Sequence, residues 1–272
     1  MCSGAPMTDF TTLQLERDSR GFVTLWLNRP EKNNAFNAVM IRELTRALKT
    51  VAQDGSLRFL VLRGRGKHFS AGADLAWMQQ AAALDYQANL QDAHELAEVM
   101  YTLHDLPIPA LAVVQGAAFG GAVGLVSCCD AALGADDALF SLSEVRIGLV
   151  PAVISPFVVQ AIGERATRRY ALSAERFGAG QAVSLGLLCE ACATHELDER
   201  VEAWTANLLL NSPQAMRATK ALLHEVGSGA LRPELRQSTE QTIARIRVSG
   251  EGQEGLDAFL HKRAPLWQEQ QP

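Results

Sequence analysis

Apolar and polar positions in this chain alternate between two periods. "GFVTLWLNRP" (21–30) is an aromatic and β-branched run stopped by Asn28 and Pro30, the pattern of a strand and turn. Asn37 then stands where it can cap a helix whose apolar residues Met40, Leu44, Leu48 and Val51 recur every three or four positions, with Arg42, Glu43, Arg46 and Lys49 between them. "LRFLVLRG" (57–64) predicts a second strand ending in glycine, 86–104 a further helix, and "ALAVVQG" (110–116) a third strand. Strand, turn and helix in recurrence predict an α/β chain. From Asp198 onward only helical pattern remains, with Ser212 and Pro213 opening one segment and Gly227 and Gly229 closing it. The expected organisation is an α/β core over 1–197 and a helical region over 198–272.

The stretch "PALAVVQGAAFGGAVGLVSCCD" (109–130) carries no charge before Asp130. It is long enough to span a bilayer, and "GAAFG" has the small-xxx-small spacing of packed membrane helices. However, it contains Gln115 and several glycines, opens β-branched and ends small, and its flanks carry neither an aromatic belt nor a basic cluster. A buried strand passing into a helix fits it better. Neither a phosphate loop, nor a dinucleotide fingerprint, nor a G-x-S-x-G nucleophile turn is present.

Composition narrows the function classes. The 272 residues are 48% hydrophobic and 20% charged, with a net charge of -5 and a pI near 5.7, which offers no footprint for nucleic acid or anionic lipid. "MCSGAPMTDF" lacks the basic and apolar regions of a signal peptide, so a cytoplasmic protein is expected. Five cysteines at irregular spacings suit a reducing compartment. Cys189 and Cys192 make a lone C-x-x-C without the second pair that structural zinc requires, so no metal site is expected and buried, inert thiols are the plainer reading.

A glycine-rich turn before a helix can still do chemistry, because its free N–H groups and the helix dipole suit an oxygen gaining negative charge. Two such turns occur, "GKHFSAGADL" (66–75) and the one inside 114–125. "HFSAGADL" and "VQGAAFGGAVGL", preceded by "LNRPEKNNAFN" (27–37) and followed by "SLSEVRIGLVPAVISP" (141–156), together resemble the crotonase, or enoyl-CoA hydratase/isomerase, family over nearly the whole chain. The resemblance implies a spiral of ββα turns with a helical C-terminal part used in trimerisation, a homotrimer or dimer of trimers, and an acyl-CoA thioester substrate whose CoA replaces any separate cofactor.

Carried over by residue, the two oxyanion-hole amides fall on Ala73 and Gly121. Ala71, Asp74 and Leu75 share the first turn. Lys32 and Ala35 fall in the loop that borders CoA, while Phe259 and Lys262 fall where a C-terminal helix can reach the nucleotide. Hydratases of this family commonly use two glutamates; the second falls on Glu144 and the first on Gly124. A lone glutamate among apolar residues is costly unless paired or functional, so Glu144 is the expected general acid/base, with its pKa raised by burial.

One carboxylate leaves three readings: a hydratase in which Glu144 handles both proton transfers, an isomerase, or a non-catalytic acyl-CoA binder. The surrounding residues look most like hydratases of the 3-methylglutaconyl-CoA and isohexenylglutaconyl-CoA (carboxygeranoyl-CoA) type, from leucine or acyclic terpene breakdown. On that reading Gly124 leaves room for the substrate's branch and carboxylate. Trp77 and Met78 stand where they can border the acyl pocket or belong to the core.

Overall fold

The computed structural model describes residues 10–227 and 231–269. Residues 1–9 of the segment read for export signals, with Cys2, and the helix-closing Gly229 lie outside the described residues. In chain order the elements are β1 (Leu13–Arg17), β2 (Val23–Leu27), α1 (Ala38–Gln53), β3 (Leu60–Gly64), α2 (Leu75–Ala82), α3 (Tyr86–His104), β4 (Ala110–Val114), β5 (Ala117–Phe119) and α4 (Gly121–Cys128). There follow β6 (Ala131–Ala135), β7 (Leu139–Ser141), α5 (Ser155–Ile162), α6 (Glu164–Ser173), β8 (Phe177–Gly178), α7 (Ala179–Leu185) and β9 (Glu190–Cys192). The chain ends in α8 (Leu197–Leu209), α9 (Pro213–Gly227), α10 (Pro233–Arg247), α11 (Gly250–Leu260) and α12 (Leu266–Glu269).

The main sheet has the order β1-β2-β3-β4-β6-β9, antiparallel at β1–β2 and parallel elsewhere. The parallel pairs require crossovers, and the helical segments between the strands supply them. A second sheet, β5-β7-β8, is extended by isolated bridges Ser70↔Ala118 and Phe36↔Ala73. Each main-sheet strand from β2 to β6 is thus followed by a short extended piece, at Phe36, at Ser70 to Ala73, in β5 and in β7, and then by helix. These are successive turns of the ββα spiral.

Local chemistry accounts for the long elements. The Asn37 side chain accepts from the Met40 amide at 2.9 Å to cap α1, whose Met40, Leu44, Leu48 and Val51 are all buried as their spacing predicts. Ser212 likewise caps α9 by accepting from the Ala215 amide at 2.9 Å. The apolar stretch 109–130 divides into β4, β5 and α4, and no helix among the described residues is long and apolar enough to cross a membrane. One face of the main sheet carries the larger core, from Leu25 and Leu62 to Phe140. The other face carries Phe22, Phe59, Val61 and Leu111, on which α8 lays Leu197, Val201 and Leu209. The helical region that opens near residue 198 is therefore joined to the sheet by apolar packing along its first helix.

Glu43 is the polar member of α1's buried face. Its carboxylate accepts from the backbone and hydroxyl of both Thr11 and Thr12, at 2.6 to 3.0 Å. Burial alone would raise its pKa, but these four donors outweigh it and the carboxyl lies below its ordinary value. The charged form is thus favoured by folding, and its contribution is present above the unfolded pKa and lost as pH falls through the native one. Glu43→Gln is expected to cost about 1–3 kcal/mol at neutral pH, with the difference from the parent shrinking in acid; a gap in urea midpoints that is the same at pH 7 and pH 3 would contradict this.

The candidate active site

Two backbone amides and one carboxylate define the site. Phe36 donates its N–H to the Gly72 carbonyl at 2.7 Å, and Asp74 donates its N–H to the Phe36 carbonyl at 2.8 Å. In this parallel bridge the N–H of the intervening Ala73 points away from Phe36, and Ala73 is exposed. Gly72 makes the turn possible: its φ is +92°, and a Cβ there would sit 2.9 Å from the Phe119 carbonyl oxygen.

The second amide belongs to Gly121, the first residue of α4, where a helix leaves its N–H groups without intrahelical partners. The preceding Gly120, at φ +54°, turns β5 into α4 while its own N–H is held by the Ser141 carbonyl at 2.9 Å. Neither Ala73 nor Gly121 has an acceptor for its N–H among the described residues. The two turns also touch, for a Cβ on Gly121 would lie 2.9 Å from Cε2 of Phe36. Phe36 therefore abuts one donor with its ring and braces the other with its backbone.

Glu144 opens a 3-10 turn (Glu144–Ile147) after β7. Its Oε1 lies 3.1 Å from the position a Gly120 Cβ would take, and its Oε2 is buried with no hydrogen-bond partner among the described residues. Burial raises its pKa, only partly offset by a backbone hydrogen bond. A carboxylate held beside two free N–H donors can move a proton next to an oxygen that is becoming anionic.

Gly124 requires a correction. A Cβ there would meet Ile154 Cγ2 at 2.3 Å, Ile154 Cβ at 2.8 Å and Met100 Cε at 3.3 Å. The space expected to receive a substrate branch is occupied by the buried Ile154 at the head of α5, and glycine is present because α4 and α5 pack together there.

The remaining site residues fall into three groups. Asp74 caps α2, accepting from Ala76 N–H at 2.9 Å, and pairs with Arg29 at 3.1 Å. Burial would raise its pKa, but the Ala76 amide and Arg29 prevail and lower it. Ala71 donates to the Asn33 carbonyl at 2.9 Å, and Leu75 is exposed beside the cap. Lys32 is exposed, whereas Ala35 is buried and its carbonyl accepts from Arg29 at 2.6 Å. Phe259 and Lys262, on α11 and just beyond it, are both exposed, and α11 packs chiefly on α9 and α10 rather than on the turns at 71–75 and 120–124. Trp77 and Met78 are half-buried, with Trp77 packed against the core.

Other polar clusters have different characters. A groove of about 950 Å³ on the outer side of β1–β3 and α8 is lined by cations already paired: Arg20 with Asp18 and Glu202, Arg63 with Asp198, Arg65 with Glu16. His104, Asp105 and His224 bring their ligand atoms within 4.8 Å, but the two imidazoles are stacked 4.5 Å apart at 12°, so their in-plane lone pairs run parallel instead of converging. The described cysteines are free; burial pushes the Cys128 and Cys129 thiols up, while Cys189 is exposed, against the expectation of a buried thiol. Sequence reading also missed Arg29, Asn34 and Ile154. Asn34, wholly buried at φ +53°, accepts from the Arg29 amide and donates to the carbonyls of Arg65 and His68.

Comparison with known proteins points the same way as this geometry. The family model for enoyl-CoA hydratase/isomerase matches residues 17–270. A putative enoyl-CoA hydratase of Thermus thermophilus is 33% identical over 89% of this chain and 95% of its own length. The 2,3-dehydroadipyl-CoA hydratase of Escherichia coli is 30% identical, covering 89% and 92%. Among solved structures, an enoyl-CoA hydratase from Shewanella pealeana superimposes with a TM-score of 0.91 at 45% identity over 95% of this chain and 96% of that one. Pseudomonas aeruginosa AtuE gives 0.91 at 38% identity, covering 95% and 100%.

Proposed function

Because the chain belongs to the enoyl-CoA hydratase/isomerase family, we propose that it hydrates the Cα=Cβ bond of a β-branched, carboxylated enoyl-CoA, either 3-methylglutaconyl-CoA or isohexenylglutaconyl-CoA, using Glu144 as its one proton carrier. The observation that carries this reading is the partly buried Glu144 carboxylate beside the Gly120 turn, one of its oxygens buried without a partner among the described residues, with the free N–H groups of Ala73 and Gly121 close by. Support for a carboxylated substrate comes from the name of the Escherichia coli relative, since a dehydroadipyl chain ends in a carboxylate. Support for the β-branch is the likeness of the 116–130 and 142–159 segments to branched-substrate hydratases; the packing of Gly124 does not contribute to it.

In this mechanism the thioester oxygen lies between the Ala73 and Gly121 amides. The Glu144 carboxylate takes a proton from water as the hydroxyl oxygen bonds to Cβ, the π electrons move onto the thioester oxygen, and the two N–H groups stabilise the enolate more than the ground state. The protonated Glu144 then gives that proton to Cα, restoring the carboxylate. An isomerase would instead move a proton between two carbons with no oxygen incorporated. Incubation in H₂¹⁸O separates the two, hydration giving an ¹⁸O-labelled 3-hydroxyacyl-CoA.

The ionised form of Glu144 starts the reaction, so rate is lost as pH falls through its raised pKa. The acid limb of kcat/KM is expected above the ordinary glutamate value of 4.5; a limb at or below 4.5 would place the proton carrier elsewhere. We further assign CoA contacts to Lys32, Phe259 and Lys262, a homotrimer or dimer of trimers, and a cytoplasmic location. The exposed Ile147, Leu149 and Val150 after Glu144 support assembly, and the free cysteines support a reducing compartment.

A further inference from the structure

Arg29 has a small, definite set of partners. Its side chain is 14% exposed, one terminal nitrogen donates to the Ala35 carbonyl at 2.6 Å, and the other donates to Asp74 Oδ2 at 3.1 Å. Ala35 immediately precedes Phe36, and Asp74 immediately follows Ala73. These are the two strands of the Phe36↔Ala73 bridge, held otherwise by the Phe36-to-Gly72 and Asp74-to-Phe36 hydrogen bonds. One guanidinium therefore spans the junction whose register aims the Ala73 N–H. The planar fork suits this task because each nitrogen reaches a different segment, which a single ammonium cannot reproduce. The other oxygen of Asp74 is already engaged as the cap of α2, so the carboxylate transmits a fixed orientation from the helix to the bridge.

We propose that Arg29 is a positioning residue for the oxyanion hole: through Ala35 and Asp74 it fixes the direction of the Ala73 N–H without touching the substrate. This rests on the reading of Ala73 as an oxyanion donor. A donor turned off its line loses stabilisation where charge develops, and misplacement on the order of 1 Å can cost about a hundredfold in rate.

The test compares Arg29→Met, Arg29→Lys, Asp74→Asn and the double variant R29M/D74N, with Arg236→Met, in an exposed i,i+4 pair, as the control for charge loss. Asp74→Asn keeps the shape of the cap and tests the clamp even where Arg29→Met folds poorly. Two quantities are read on folded protein: kcat, and the carbonyl stretching frequency of bound butyryl-CoA carrying a ¹³C=O label, which falls as the thioester oxygen is hydrogen-bonded. Arg29→Met and Asp74→Asn are expected to lower kcat by about tenfold to a hundredfold and to raise the frequency toward that of free ligand. The double variant should match the worse single one, Arg29→Lys should lie between parent and Arg29→Met, and Arg236→Met should change nothing. Additive losses, or a reduced Tm with unchanged frequency, overturn the proposal. Ala73→Pro removes the donor itself: if the folded variant leaves the frequency unchanged, the reading of the site falls, whereas if it raises the frequency and the Arg29 and Asp74 variants do not, only the clamp falls.

Discussion

Replacing Glu144 by glutamine is expected to leave a folded protein that turns over its enoyl-CoA substrate at about a hundredth of the parent rate or less, since general acid/base catalysis contributes about 10²- to 10⁴-fold. The substitution keeps the shape of the side chain and removes its capacity to carry a proton. Its effect on stability should run the other way. The carboxylate is partly buried, one oxygen has no partner among the described residues, and its pKa is raised by burial, so folding favours the neutral form. Such a group works against the folded state above its unfolded pKa and is neutral to stability well below it. A glutamine carries no charge to desolvate, so the Tm of Glu144→Gln should equal or exceed that of the parent at pH 8, with the difference vanishing in acid. More than a tenth of parental activity, or a Tm well below parent at pH 8, would remove Glu144 from its role.

Gly124→Glu is the second large effect, and here the loss is in stability. The Cβ alone would stand 2.3 Å from Ile154 Cγ2, and Ile154 is β-branched and buried, with little freedom to swing away. Even alanine at 124 is expected to destabilise: the overpacking costs about 1–3 kcal/mol, against roughly 0.5–1 kcal/mol gained by removing a helix-interior glycine. Glutamate adds a carboxylate with no partner in a hydrocarbon contact. A drop in Tm on the order of 10 °C is expected, and hydration of crotonyl-CoA should not improve. The cause is isolated by a pair of partners. Ile154→Ala alone leaves a cavity, but Gly124→Ala combined with Ile154→Ala should cost less than the sum of the two single changes. Strict additivity in that cycle, or parental stability for Gly124→Glu, would show that the contact does not govern the position.

These two residues mark what the amino-acid pattern could and could not reveal. The capped, periodic helices α1 and α3 were legible because their signals are local: a side chain that accepts an amide three residues on, and an apolar stripe facing one core. The strands β5, β7 and β8 were not, being two or three residues long with no period to read; partners distant in sequence hold them. The two glycine-rich turns stand out as unusual composition, whereas the assignment of Ala73, Gly121 and Glu144 rests on the resemblance to the family. Gly124 was read from its place in a motif, and its actual neighbour, thirty residues along the chain, left no local trace. Arg29 looked like an ordinary charge at the end of a strand, since its two partners lie six and forty-five residues away.

Phe36 has a consequence for how the site responds to its surroundings. The Phe36 ring edge lies so near Gly121 that a Cβ there would stand 2.9 Å from Cε2, and the backbone of the same residue carries the short bridge to Ala73, so packing helps to hold the two amide donors in place. Steric contact has no titration curve and is not screened by ions. Changes in salt or acidity should therefore act on the proton carrier and on the Arg29–Asp74 pair that aims the Ala73 N–H, and leave the packed contact itself as it was: a ruler beside a switch, each made of a different kind of force.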